Sequence, residues 1–103
     1  MSITLHVGGD GDAGKAYQRN FSNAHFFYVF NSLGLGNVFN DYCGGVEAGY
    51  KLNFVIQTIH ENAMKAIRRE DNLLSVEYLL NAILDILRVA YKAQELNEEL
   101  EWA

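Results

Sequence analysis

The sequence predicts an α+β fold, mostly helical, with an N-terminal β-hairpin, one short aromatic helix and then a long antiparallel helical hairpin, all in a single domain, 1–103. Three observations carry this. Residues 3–7 alternate apolar and polar; residues 46–93 repeat apolar side chains at helical spacing; and Glu70, Asp71 and Asn72 break that long stretch with a short polar connection. A chain of 103 residues can bury roughly two thirds of its unfolded surface in one core, so it needs no staple.

Residues 2–21 read as the hairpin. Ile3, Leu5 and Val7 alternate with Thr4 and His6, the Gly-rich run from Gly8 to Lys15 breaks the strand, and Tyr17, Arg19 and Phe21 then alternate with Gln18 and Asn20. Such a ribbon is marginal alone. It has to lie on the helices or pair with a second copy of the chain.

Residues 22–45 read as a short helix and an irregular loop. Ser22 is an N-cap, Phe26, Phe27, Phe30 and Leu33 share one side, and Gly34 followed by Leu35 has the order of a Schellman stop. Gly36 to Gly45 follows without periodicity, with Val38, Phe39 and Tyr42 as its apolar anchors.

Residues 46–93 read as the helical hairpin. Its first arm aligns Leu52, Val55, Ile56, Ile59, Ala63, Ala66 and Ile67, with Glu61 and Lys65 as an i,i+4 pair. The second arm, Leu73 to Ala93 with Ser75 as N-cap, is apolar around most of its circumference. Its polar strip is Glu77, Asn81, Asp85, Arg88, Lys92 and Glu95, on which Asp85 and Arg88 make an exposed pair. This is the central helix, which the rest must cover. Residues 94–103 form an acidic tail that keeps helical spacing in Leu96 and Leu100 and is expected to fray.

Charge and cysteine narrow the function. The formal net charge is −5, from 13 acids and 8 bases, and Glu95, Glu98, Glu99 and Glu101 in the tail account for most of it. The remaining body is close to neutral and lacks the basic face that a nucleic acid requires. No basic and apolar leader opens the chain, and no apolar run approaches the roughly 18 residues of a membrane span. The lone Cys43 cannot form an internal disulfide, which suits a reducing compartment. The expectation is a cytoplasmic protein that binds neither nucleic acid nor membrane.

Several motifs imitate chemistry. Gly9 to Lys15 has the GxxxxGK spacing of a phosphate loop, but Ala16 stands where a hydroxyl should hold magnesium. Asp10 and Asp12 would face the phosphates, and no parallel sheet supports the loop. Asp10-Gly-Asp12 begins like a calcium loop, yet Gly14 and Phe21 occupy later ligand positions. Cys43 with His25 or His60 and Asp41 has the residue types of a thiol centre, but a single cysteine beside glycines reads better as a small buried apolar residue. His6, His25 and His60 have no zinc spacing. No metal, cofactor or catalytic set is assigned, and the protein is not expected to be an enzyme.

The order Ser22-Asn-Ala, Leu33-Gly-Leu-Gly and Gly44-Gly resembles small bacterial and phage proteins of unassigned role. These are helix-boundary signals and imply no activity. More informative is the aromatic density between Phe21 and Phe54: most of these rings must close the core, but Phe26, Phe27, Tyr28 and Phe30 cannot all point inward from one short helix.

The sequence therefore points to a small non-catalytic homo-oligomer that binds a protein partner, an inhibitor of the immunity or anti-defence type. Its contact residues are expected to be Lys15, Arg19, Phe26, Phe27, Tyr28, Phe39 and Tyr42. The alternative is a binder of a small anionic, nucleotide-like molecule at a subunit interface, held by the Gly-rich loop, Lys15, Arg19 and aromatic rings.

Overall fold

The computed structural model describes residues 1–103 as one antiparallel sheet covered on one face by three helices. In chain order the elements are β1 (Ser2–Val7), β2 (Gln18–Ser22), α1 (Asn23–Ser32), β3 (Gly44–Val46), α2 (Tyr50–Arg68), α3 (Val76–Glu95) and β4 (Leu100–Trp102). The sheet has four strands in the order β2-β1-β4-β3. The expected α+β class is what forms, and the N-terminal hairpin and the helical hairpin are both present.

Strand alternation sorts the sheet cleanly into two faces. Ile3, Leu5, Val7, Phe21, Val46, Leu100 and Trp102 are buried beneath the helices. Ser2, Thr4, His6, Gln18 and Asn20 face the other way, where the Asn20 amide donates to Ser2 Oγ at 3.1 Å and Thr4 Oγ1 at 2.8 Å. Helix α3 contacts β1, β2 and β4, and α2 packs antiparallel on its flank.

Helix boundaries follow their local chemistry. Ser22 Oγ accepts from the His25 amide and Ser75 Oγ from the Tyr78 amide, capping α1 and α3. Helix α1 ends in the expected Schellman motif: Gly34 sits at φ +74°, the Leu35 amide reaches Phe30 O at 2.9 Å, and Leu35 is buried.

The tail corrects one expectation. Residues 94–103 do not fray; α3 runs to Glu95, and Asn97 at φ +54° closes a second Schellman motif in which the Glu98 amide reaches Ala93 O at 2.9 Å. The chain then reverses into β4, between β1 and β3. Leu100 pairs with Val7 and Val46, and Trp102 with Leu5 and Gly44. Two other expectations change with it. The N-terminal ribbon is not two-stranded, because β4 extends it, and Gly44–Val46 is a strand instead of the irregular loop expected at Gly44 and Gly45 and the helical-hairpin start expected at Val46; the first helix of that hairpin begins at Tyr50.

The seat of Trp102 explains a glycine. A Cβ built on Gly44 would lie 2.5 Å from Trp102 Cζ2, so only glycine lets the indole lie flat across β3. The ring continues into the aromatic core, 4.5 Å from Phe39, which stacks on Phe30 at 3.8 Å. Its Nε1 donates to Asp41 O at 3.0 Å.

Trp102→Ala should lower stability by about 3–5 kcal/mol in urea denaturation, the cost of a large buried aromatic side chain, whereas a frayed tail would show no change. At the reversal, Asn97→Gly should be tolerated and Asn97→Val should cost about 1–2 kcal/mol, because a branched Cβ opposes the left-handed conformation.

Candidate functional site

The residues expected to form a site are scattered by the fold. Lys15 is exposed on the β1–β2 loop, paired with Asp12 at 3.0 Å. Arg19, on β2, extends its guanidinium to Asp85 of α3 at 2.6 Å and lies over the rings of Phe21 and Tyr78. That ties sheet to helix; Asp85 also keeps the expected exposed pair with Arg88, at the longer distance of 3.8 Å.

Phe26 and Phe39 are fully buried, so neither presents a surface to a partner. Tyr28 is half-buried and structural: its hydroxyl donates to Asn72 Oδ1 at 2.9 Å and accepts from the Leu73 amide at 2.8 Å, fastening α1 to the α2–α3 connection. Only Phe27 and Tyr42 meet as neighbouring side chains with outer surface, edge to face at 5.4 Å. Cys43 is exposed rather than buried, which corrects its reading as a core residue.

The Gly-rich loop has the wrong surroundings for an anion. It leads through a short turn, Asp12–Gly14, into an antiparallel strand, not into the helix N-terminus that a phosphate loop uses. The tail adds acids: a Cβ on Gly9 would lie 2.5 Å from Glu98 Oε2 and one on Gly8 2.7 Å from Glu101 Oε2. With Asp10 and Asp12 beside them, these carboxylates give the loop a negative field.

Two of the three histidines are engaged with tyrosines, while His6 Nδ1 lies 3.1 Å from Val7 O. His25 Nδ1 lies 3.1 Å from Tyr78 Oη and His60 Nε2 lies 2.7 Å from Tyr91 Oη. The second pair joins α2 to α3. Three groups have displaced proton affinities, each in an exposed ion pair: the hydrogen bond from Arg69 lowers Asp71 and raises Arg69 in return, and Glu95 raises Lys92. They brace the connection and the end of α3.

A concave site does form elsewhere, between β3 and the start of α2. Its volume is about 420 Å³, and it is lined by Val38, Gly45, Val46, Glu47, Tyr50, Lys51, Phe54, Val55 and Glu99. Val46 and Val55 are buried and form its floor, while Tyr50 and Phe54, one helical turn apart, are 90% and 58% exposed at its rim. Gly49 starts α2 at φ +94°, and the Gln94 amide clamps it, Oε1 accepting from its N–H at 2.5 Å and Nε2 donating to its C=O at 2.9 Å. The rim helix is therefore held to α3. On the opposite side, β3 has β4 as its only neighbour, so its outer edge is open.

Sequence reading places Tyr50 and Phe54 in the aromatic cluster without deciding which of its rings are core and which are exposed. The missed signal is their phase: both fall opposite Leu52, Val55, Ile56 and Ile59, the side chains that α2 buries. No family model, curated protein or solved structure matches this chain.

Lys15→Ala should change stability by under about 0.5 kcal/mol, as for an ordinary surface residue. Arg19→Ala should cost about 1.5–3 kcal/mol in the same denaturation series, the range for a charged hydrogen bond. Calorimetric titration with ATP should give no binding heat, and a micromolar affinity lost in Lys15→Ala would restore the anion-binding role of the loop.

Proposed function

We propose that the protein is a small non-catalytic binding protein that works in the cytoplasm by seating an extended segment of a protein partner in the groove between β3 and α2, blocking that segment as an inhibitor does. The observation that carries this is the conjunction of an open strand edge with an apolar groove whose rim holds the exposed rings of Tyr50 and Phe54. An extended peptide added to such an edge gains main-chain hydrogen bonds, and alternate side chains enter the groove to give specificity. Aromatic side chains at a rim of this kind serve as binding hot spots.

The rim charges describe the segment. Glu47 and Glu99 outnumber Lys51, whose ammonium lies 4.0 Å from Glu47. A complementary segment carries an apolar or aromatic residue for the groove and a Lys or Arg beside it. No helix is long and apolar enough to cross a membrane. The exposed thiol of Cys43 suits a reducing compartment.

A small-molecule reading has one observation in its favour. A volume of about 420 Å³ lies within the range of ligand pockets, and two aromatic rings at its rim offer stacking faces. The acids exclude nothing planar and neutral or cationic, but they oppose the anionic, nucleotide-like ligand first expected. Native mass spectrometry of the purified protein reads out any retained molecule directly.

The test is site-specific photocrosslinking. A benzoylphenylalanine at position 50 should capture a defined partner peptide, and Tyr50→Ala with Phe54→Ala should weaken the recovered partner at least tenfold. Both side chains are exposed, so the double variant should keep the urea midpoint of the parent. Undiminished binding by that variant would remove the groove as the binding surface.

A further inference from the structure

The outer face of the helical hairpin carries a second surface, separate from the groove. On α3, Leu80, Leu84 and Tyr91 are 45%, 55% and 50% exposed, and half-buried Leu87 lies between them. Their spacing of four, three and four residues is that of a coiled-coil seam, in which such positions form one continuous apolar line. The core-facing line of the same helix is different: Leu79, Ala82, Ile83, Ile86, Val89, Ala90 and Ala93 are buried against the sheet and α2. Helix α3 is thus apolar on two sides, and the fold covers one.

The neighbouring helix widens the seam without adding charge. The His60–Tyr91 hydrogen bond sets the antiparallel register of α2 on α3 and brings exposed Met64 level with Leu87. Charged side chains lie outside this strip, with Glu61, Lys65 and Arg68 on the α2 side and Glu77, Arg88 and Glu95 on the α3 side. An apolar centre with a mixed-charge rim is the anatomy of a protein interface.

The geometry points to a second copy of this chain as the occupant, docked antiparallel across a two-fold axis that passes between Leu84 and Leu87. That axis sets Leu84 against Leu87 of the other copy and Leu80 against Tyr91, so every seam residue meets an apolar partner. Such self-complementarity is what an isologous contact requires. The size also fits: two side-by-side helices of 19 and 20 residues present on the order of 600 Å² in projection, comparable with the roughly 800 Å² per partner of a standard interface. The outer face of the sheet is polar, so the contact closes as a dimer rather than continuing into a fibre.

Sedimentation velocity of the full chain should show a dimer at about 20 μM, near the middle of common association constants. Leu84→Glu and, separately, Leu80→Glu should each raise the dimer dissociation constant at least 100-fold while the helical circular dichroism of the parent is kept. Both side chains are exposed, so either variant should fold. Mixing Leu84→Glu with Leu87→Lys should restore a heterodimer, because the axis makes these residues face each other. A monomer at 100 μM, a dimer indifferent to Leu84→Glu, or the absence of rescue in the mixture would each overturn the proposal. Loss of partner crosslinking at the groove would leave these results unchanged, since the two surfaces share no residue.

Discussion

The structure depends on the insertion of β4 between β1 and β3. Without that strand, β1 would lose one of its two neighbours and β3 its only one, leaving the N-terminal ribbon and a detached three-residue strand. The insertion is a steric arrangement as much as a hydrogen-bonded one. The indole of Trp102 occupies the space where Gly44 lacks a side chain, the Glu99 carboxylate does the same at Gly45, and the Glu101 carboxylate at Gly8. Glycines from two segments far apart in the chain are thus shaped by one C-terminal strand. A larger residue at Gly44 meets the buried indole, whereas one at Gly8 or Gly45 meets first the flexible carboxylate ends of Glu101 and Glu99, which can turn aside.

The consequences spread outward from the end of α3. Asn97 turns the chain, Gln94 holds Gly49 at the start of α2, and Lys92 pairs with Glu95, so one turn of helix positions the tail, the sheet and the groove together. Toward its middle, α3 is bonded to β2 through Arg19 and Asp85 and to α2 through Tyr91 and His60. The arc of α3 carrying Leu80, Leu84 and Tyr91 takes part in these contacts only through the Tyr91 hydroxyl, and its leucines in none of them. Its apolar character has no explanation inside one chain, since exposing a contiguous leucine seam to water is unfavourable and the interior is already full.

The aromatic residues divide by the same logic. Phe21, Phe26, Phe30, Phe39 and Trp102 close the core, with edge-to-face and stacked contacts among them. Tyr28, Tyr78 and Tyr91 each place a hydroxyl on a distant partner, respectively Asn72, His25 and His60, so their rings serve as braces. Tyr17 and Phe27 pack half-buried against the core, and Tyr42, Tyr50 and Phe54 carry large free surface. An aromatic count along the chain detects the excess but cannot assign it, because rings of all three kinds are interleaved between residues 21 and 54.

By itself the sequence determined what depends on neighbours in the chain. Period two marked β1 and β2, period 3.6 marked α2 and α3, and Ser22, Ser75 and Gly34 marked helix ends, because caps and periodicity act within a few residues. The polar character of the Gly-rich loop was equally local, as were the acids Asp10 and Asp12 that argue against a phosphate there. Tertiary structure alone decided the rest. Leu100, Glu101 and Trp102 become a strand because β1 and β3 supply edges for them, and Asp85 binds Arg19 more closely than Arg88 because β2 passes within reach. Val46 and Val55 floor a groove because a three-residue strand and a helix start meet there. Each of these depends on segments brought together from across the chain, and no local pattern encodes such a meeting.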